Sequence, residues 1–326
     1  MKFLQRRQFL HLAAGAVAPL ALPHIAQAQA YPTRPVRILV GFAAGSTSDI
    51  IARLIAHSLS ERLSQPYIVE NRPGAGSNIA AEAVVAAPPD GYTLLLVATS
   101  NATNATFYNN LRFNFLRDIA PVSGILTAPY VMVVNPLMPT KTVSEFIAYA
   151  KANPGKINMA SGGVGSGIHL AGELFNMLAG TKIAHVPYRA AALAVTDLLS
   201  GQVQVIFDNL PSSIEYVRTG KLRALAVTTV AQSQALPDIP PMADSVPSYE
   251  ASVVIGIGAP KNTPGNVIDR LNKEINAVLA EPKIKSQITD MGGTMLVRSP
   301  ADFGKLMAEE TEKWAKVIKF ASVKAE

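Results

Sequence analysis

The chain repeats one plan: a short apolar run, a turn rich in glycine and serine, then an amphipathic stretch of helical length. VRILVGF (36–42) opens the series, and the next stretch carries Ile50, Ile51, Leu54, Ile55, Leu59 and Leu63 at helical spacing. Apolar runs near 67–70, 93–99, 130–134, 157–160, 183–186, 203–207, 222–228 and 253–260 read as further strands. Helices are expected over 47–64, 76–86, 142–152, 167–179, 190–200, 264–280 and 300–319. Such alternation argues for an α/β fold with parallel sheets covered on both faces. The proline-rich stretch 233–250 reads as a surface loop. A length of 326 residues suggests two domains.

The N-terminus reads as an address. MKFLQRRQFL, a short apolar run and AQAQA form a basic region, a hydrophobic region and a small-residue cleavage site, with cleavage after Ala28 or Ala30. Arg6-Arg7 before Gln8-Phe9-Leu10 resembles a twin-arginine signal; an ordinary secretory signal with two arginines is the alternative. Either route exports the protein to the periplasm. Gly15, Pro19 and Pro23 interrupt the apolar run, which argues against a retained anchor. No later stretch is apolar for long enough to span a bilayer, so a soluble mature chain is expected.

The turns are the informative part. GFAAGSTSD (41–49) and ASGGVGSGIH (160–169) each follow a strand and run into a helix. Helix N-termini present unpaired N–H groups and partial positive charge, and glycine lets a ligand approach the backbone. Facing each other across a cleft, the two loops would form an anion cradle; each alone reads equally as a tight turn with an N-cap. VPYRAA (186–191) and FDNLPSS (207–213) follow the same plan. They offer Arg189 to a carboxylate and Asp208 and Asn209 to a polar group.

Other chemistry is thinly represented. The formal charge is +6, and three of those charges, Lys2, Arg6 and Arg7, sit in the leader, so no nucleic-acid footprint remains. There is no cysteine. After the leader the only histidines are His57, His169 and His185, none at metal-ligand spacing with another. No phosphate-loop, dinucleotide or GxSxG motif occurs, so no catalysis, metal or cofactor is expected. The one hydrolase candidate is Ser166 with His169, three residues on.

Taken together, YPTRPVRILVGFAAGSTSDIIAR (31–53), VENRPGAGSNIAA (69–81), PPDGYTLLL (88–96), ASGGVGSGIHLAGELF (160–175) and HVPYRAAALAVTDLLSGQVQVIF (185–207) resemble the Bug (TctC-type) solute-binding proteins of tripartite tricarboxylate transporters. GKLRALAVT (220–228), ALPDIPPMAD (235–244) and Lys313-Trp314 extend the match. The resemblance implies a two-domain Venus-flytrap fold of two mixed or parallel sheets around a cleft. It places 31–128 with 254–326 in one domain and 129–253 in the other, with hinges near 127–131 and 250–255. It implies a monomer that binds a dicarboxylate, an aromatic acid or an acidic amino acid and meets membrane transporter subunits. Carried over, the site comprises Phe42, Gly45, Ser46 and Thr47; Ser100, Asn101 and Asn104; Ser161, Gly165, Ser166 and His169; Tyr188, Arg189 and Ala190; and Asp208.

The chain departs from the family pattern at three points. Ala43 and Ala44 lie in a loop that usually carries two prolines, Ser46 stands for a glycine, and Ala190 stands for another. The Ala190 methyl would narrow the cleft or move the loop to a different dihedral region. A ligand-presenting partner of a membrane sensor kinase remains the alternative to a transporter component.

Overall fold

The computed structural model describes residues 31–108 and 110–322. The expected export signal lies outside them. From Pro32 onward the chain packs as one compact unit.

The elements run β1 (Val36–Val40), α1 (Thr47–Leu63), β2 (Tyr67–Asn71), α2 (Asn78–Val85), β3 (Thr93–Ala98), α3 (Thr99–Phe107), α4 (Phe115–Asp118) and β4 (Ile119–Val134). Then come α5 (Val143–Ala152), β5 (Asn158–Ser161), α6 (Gly167–Ala179), β6 (Ala184–Pro187), α7 (Ala191–Leu199), β7 (Val205–Asn209), α8 (Leu210–Arg218) and β8 (Arg223–Val227). The last are β9 (Ser252–Pro260), α9 (Gly265–Leu279), α10 (Pro282–Asp290), β10 (Thr294–Met295) and α11 (Pro300–Ala321).

The strands form one curled sheet in the order β2-β1-β3-β9-β4-β7-β5-β6, with β8 and β10 also on β4. Its outer pairs are parallel, β1 with β2 and β3, and β5 with β6 and β7. Its middle is antiparallel, through β3–β9, β9–β4 and β4–β7. The expectation of parallel sheets therefore holds for the wings only. The two wings share β4, whose Ile119–Pro129 half pairs with β9 and whose Tyr130–Val134 half pairs with β7 and β8.

Thr228 ties this change of partner together. Its Oγ1 accepts from Tyr130 N at 2.8 Å and donates to Ala251 O at 2.7 Å, while Ala251 N donates to Thr228 O at 3.0 Å. Both chain segments that pass between the wings are thus held by one side chain.

Residues 119–129 were not expected to be a strand. Pro121, Gly124 and Pro129 break the pattern, and the register shifts twice, between Pro121 and Ser123 and between Gly124 and Leu126. The glycines of this region are packing requirements. A β-carbon on Gly256 would overlap the Phe303 ring, and one on Gly124 would overlap Leu296. Leu39, Leu95, Val97, Phe113, Phe115, Val254, Phe303 and Met307 pack together in this core. The helix α11 closes it with Trp314, fully buried, whose indole donates to Glu310 at 2.8 Å. No helix among the described residues is long and apolar enough to cross a membrane.

Candidate functional site

Six helices begin at one cavity of about 730 Å³. The N-cap residues of α1, α2, α3, α6, α7 and α8 are Ser46, Ser77, Ala98, Ser166, Ala190 and Asn209, and every one lines it. At the first two positions of a helix the N–H has no intrahelical acceptor. Thr47 and Ser48, Gly167 and Ile168, and Ala191 and Ala192 hold those positions and line the cavity too. The wall is therefore positive in potential without being cationic. Arg189 and Asp208 are the only charged side chains lining it among the described residues. Arg189 is exposed and makes no ion pair among the described residues.

The first loop is built around Asp49. This buried carboxylate accepts from Gly45 N at 2.9 Å, Asn71 Nδ2 at 2.9 Å and Arg53 Nε at 3.0 Å. Burial pushes its pKa up, but Arg53, the Gly45 N–H and Asn71 outweigh that, and it ends below the usual carboxylate range. Gly45, at φ 79°, makes the turn, and Ser46 Oγ caps α1 by accepting from Asp49 N at 3.3 Å. Ser46 thus has a structural use as the N-cap of α1.

The second loop is held by its own serines and histidines. Ser166 Oγ donates to Gly163 O at 2.7 Å and accepts from His169 N at 3.3 Å. The His169 ring accepts from Gly165 N at Nδ1, 3.0 Å away, and stacks on His185 with centroids 3.6 Å apart. Ser161 Oγ lies 2.6 Å from His185 Nε2. Burial, then the neighbouring His169, drives the His185 pKa down to about 3. A hydrolase built on Ser166 would need its hydroxyl on the His169 ring; that hydroxyl is directed to Gly163 O instead.

Of the expected site residues, Phe42, Gly45, Ser46, Thr47, Ser100, Ser166, Tyr188, Arg189, Ala190 and Asp208 line the cavity. Asn101, Asn104, Ser161, Gly165 and His169 stand behind its wall. Most of their polar groups are engaged in shaping it, while Asn104 Oδ1 is buried without a hydrogen-bond partner. Asn101 Oδ1 accepts from Ala98 N at 2.9 Å, and Asn104 Nδ2 donates to Gly76 O at 2.8 Å. Residues 100–104 form part of helix α3. Ala190 is extended at φ −152°, a conformation open to any residue, so its methyl does not redirect the loop.

A third loop, Pro73–Ser77, also lines the cavity and was not singled out. Gly74, Ala75, Gly76 and Ser77 all have positive φ, which delays α2 to Asn78. Two of them are not glycine, and local strain of this kind is typical of ligand-facing loops. Gly41 makes room for Ser77, since a β-carbon there would overlap the Ser77 hydroxyl. The signal was present in the run Gly74-Ala75-Gly76-Ser77, which repeats the strand, small-residue turn and helix plan. Tyr108, Tyr130 and Tyr216 also line the wall and carry no sequence signal of their own, and Ser212 joins them from the FDNLPSS loop.

Asp208 is fully buried at the end of β7. Ser213 Oγ donates to its Oδ2, whereas Oδ1 has no hydrogen-bond partner. Burial raises its pKa to about 6, against the pull of Ser213 and the Asn209 N–H.

A curled mixed sheet with a cavity ringed by helix N-termini defines the chain as a solute-binding protein of the periplasmic type. Residues 51–323 match the family described as "Tripartite tricarboxylate transporter family receptor", and the chain belongs to that family, TctC. It is 35% identical to Protein BugT of Bordetella pertussis over 314 residues, 95% of this chain and 94% of that one. The solved structure of Rpa4515 of R. palustris with adipate superimposes with a TM-score of 0.86 at 34% identity, covering 90% of this chain and 98% of that one. MatC of Rhodopseudomonas palustris with bound malate gives 0.83 at 29% identity, covering 88% and 100%.

Proposed function

We propose that the protein captures a small organic carboxylate in this cavity, in the periplasm, and presents it to the membrane subunits of a tripartite transporter. The observation that carries the reading is the convergence of six helix N-termini on a cavity with a single cation in its wall. Such a site replaces the water of a carboxylate with fixed N–H donors and dipoles. The ten expected residues that line the cavity, with the Pro73–Ser77 loop and Ser212, make up the site.

Capture proceeds by closure of two lobes, 31–128 with 254–326 and 129–253. Their relative rotation is absorbed near 129–130 and 250–252, where β4 changes partner and Thr228 holds both segments. The ligand is bound and released unchanged. Relatives that carry adipate and malate support a carboxylate as the ligand, and the family description supports a transporter as the partner.

The test is to purify the protein from cells grown on mixed organic acids, denature it, and identify what it releases by mass spectrometry. A stoichiometric carboxylic acid is expected. A stoichiometric neutral or cationic solute would overturn the reading.

A further inference from the structure

The composition of the cavity wall narrows the ligand beyond "carboxylate". Five aromatic side chains line it: Phe42, Tyr108, Tyr130, Tyr188 and Tyr216. The Tyr188 hydroxyl donates to Asp197 at 2.6 Å, which leaves its ring as the part offered to the cavity. Tyr130 is buried, and its hydroxyl packs where a β-carbon on Gly167 would fall. Each of these lining residues offers a ring whose apolar surface suits the flat face or edge of another ring. The volume of about 730 Å³ accommodates a ring or an aliphatic chain, so size alone does not choose between them.

Charge does choose. The wall carries one cation, Arg189, and one carboxyl, Asp208. Asp208 has no cationic partner among the described residues: no ion pair or hydrogen bond joins it to a lysine, arginine or histidine, and its Oδ1 is unpaired. A ligand with one carboxylate places it on the helix N-termini. A ligand with two brings the second toward an uncompensated buried acid, and like charges in a partly desolvated site repel strongly.

We propose that the cavity takes a monocarboxylate with a ring-sized apolar body in preference to di- and tricarboxylates, and that Asp208 sets this preference by repelling a second carboxylate. The proposal rests on the carboxylate-binding reading above and can fail separately from it.

Isothermal titration calorimetry at pH 7.5 with benzoate, adipate and benzamide tests it, on the wild-type protein and on Asp208→Asn. Benzoate is expected to bind at least about tenfold more tightly than adipate, the scale set by juxtaposed like charges. Asp208→Asn is expected to gain affinity for adipate by at least about tenfold more than for benzoate, so that the ratio of the two affinities moves toward adipate. Because the variant removes an unpaired buried charge, it is expected to fold, and its melting temperature checks this. Adipate binding the wild type as tightly as benzoate, or no gain in the variant, would overturn the preference and leave the anion cradle intact. Benzamide binding as well as benzoate would overturn both.

Discussion

Thr47 Oγ1 and Ser212 Oγ lie 2.7 Å apart, although 165 residues separate them in sequence. The first is the first residue of α1 and the second lies in the first turn of α8, so this hydrogen bond joins the two wings across the cavity. A second bridge runs from Thr103 Oγ1 to Gly165 O at 3.3 Å. Under the proposed closure of two lobes, both contacts belong to the closed arrangement. Thr47→Val keeps the side-chain shape and removes the bridge. Ligand affinity is expected to fall roughly two- to tenfold, the worth of one net hydrogen bond present in the closed state only. Titration calorimetry measures it, and unchanged affinity would mean that closure does not depend on this pair.

Ser166→Ala tests what holds the second loop. The hydroxyl caps α6 and ties Gly163, so its loss is expected to lower stability by about 1 kcal/mol in urea unfolding. Any loss of ligand affinity then comes through loop shape, because the hydroxyl proton is already given to Gly163 O. A large affinity loss with unchanged stability would instead make Ser166 a direct ligand donor.

Asp208→Asn should stabilise the protein at neutral pH. The folded-state pKa of about 6 lies above the unfolded value, so the ionised carboxyl destabilises the fold above pH 6. The penalty shrinks as pH falls through 6 and vanishes near the ordinary carboxylate range of about 4. The variant is expected to exceed wild type by roughly 1–3 kcal/mol at pH 7.5, with the gap closing by about pH 4. A gap independent of pH would show that the charge is not its cause.

His185 acts with the opposite sign. Its folded pKa, near 3, lies below the unfolded value of about 6.5, so its contribution is complete above 6.5 and is lost as pH falls toward 3. His185→Phe keeps a ring against His169 and cannot take a proton. The variant is expected to lose about 1 kcal/mol at neutral pH, because the Ser161–His185 hydrogen bond is lost while Ser161 keeps Gly163, and to show a flatter stability profile between pH 6 and 4. Denaturant midpoints across that range decide it; an unchanged slope would place the acid sensitivity elsewhere.

Much of the fold was legible because most elements agree with their own periodicity. The helix 167–179 matches to the residue, and β1, α1 and β9 match within two. What escaped has physical reasons. Strand 119–129 carries Pro121 and Gly124 at its register shifts and Pro129 at its end, so neither alternation nor a clean apolar run is visible. Helix α3 has the sequence TSNATNATF, whose buried face is mostly hydroxyls and amides, and no apolar stripe marks it. The site was legible where glycines or serines precede a helix, as at Gly45-Ser46 and Gly165-Ser166. It was less legible where burial decides which polar group faces inward: Asn101 Oδ1, Asn104 Nδ2 and His169 Nδ1 each bond a neighbouring backbone group behind the wall. Tyr108 and Tyr216 reach the wall through tertiary packing alone.

The proposed capture of a carboxylate requires that this cavity recognise negative charge through helix N-termini. Thermal unfolding against matched pairs of small carboxylic acids and their neutral amides tests it most directly, using protein first unfolded and refolded to strip any bound solute. An acid at 100 times its dissociation constant should add about 2.7 kcal/mol, a shift of several degrees, while its amide leaves the curve in place. Equal shifts for acid and amide, or a flat response to every acid in a broad panel, would mean that the cavity does not select for negative charge.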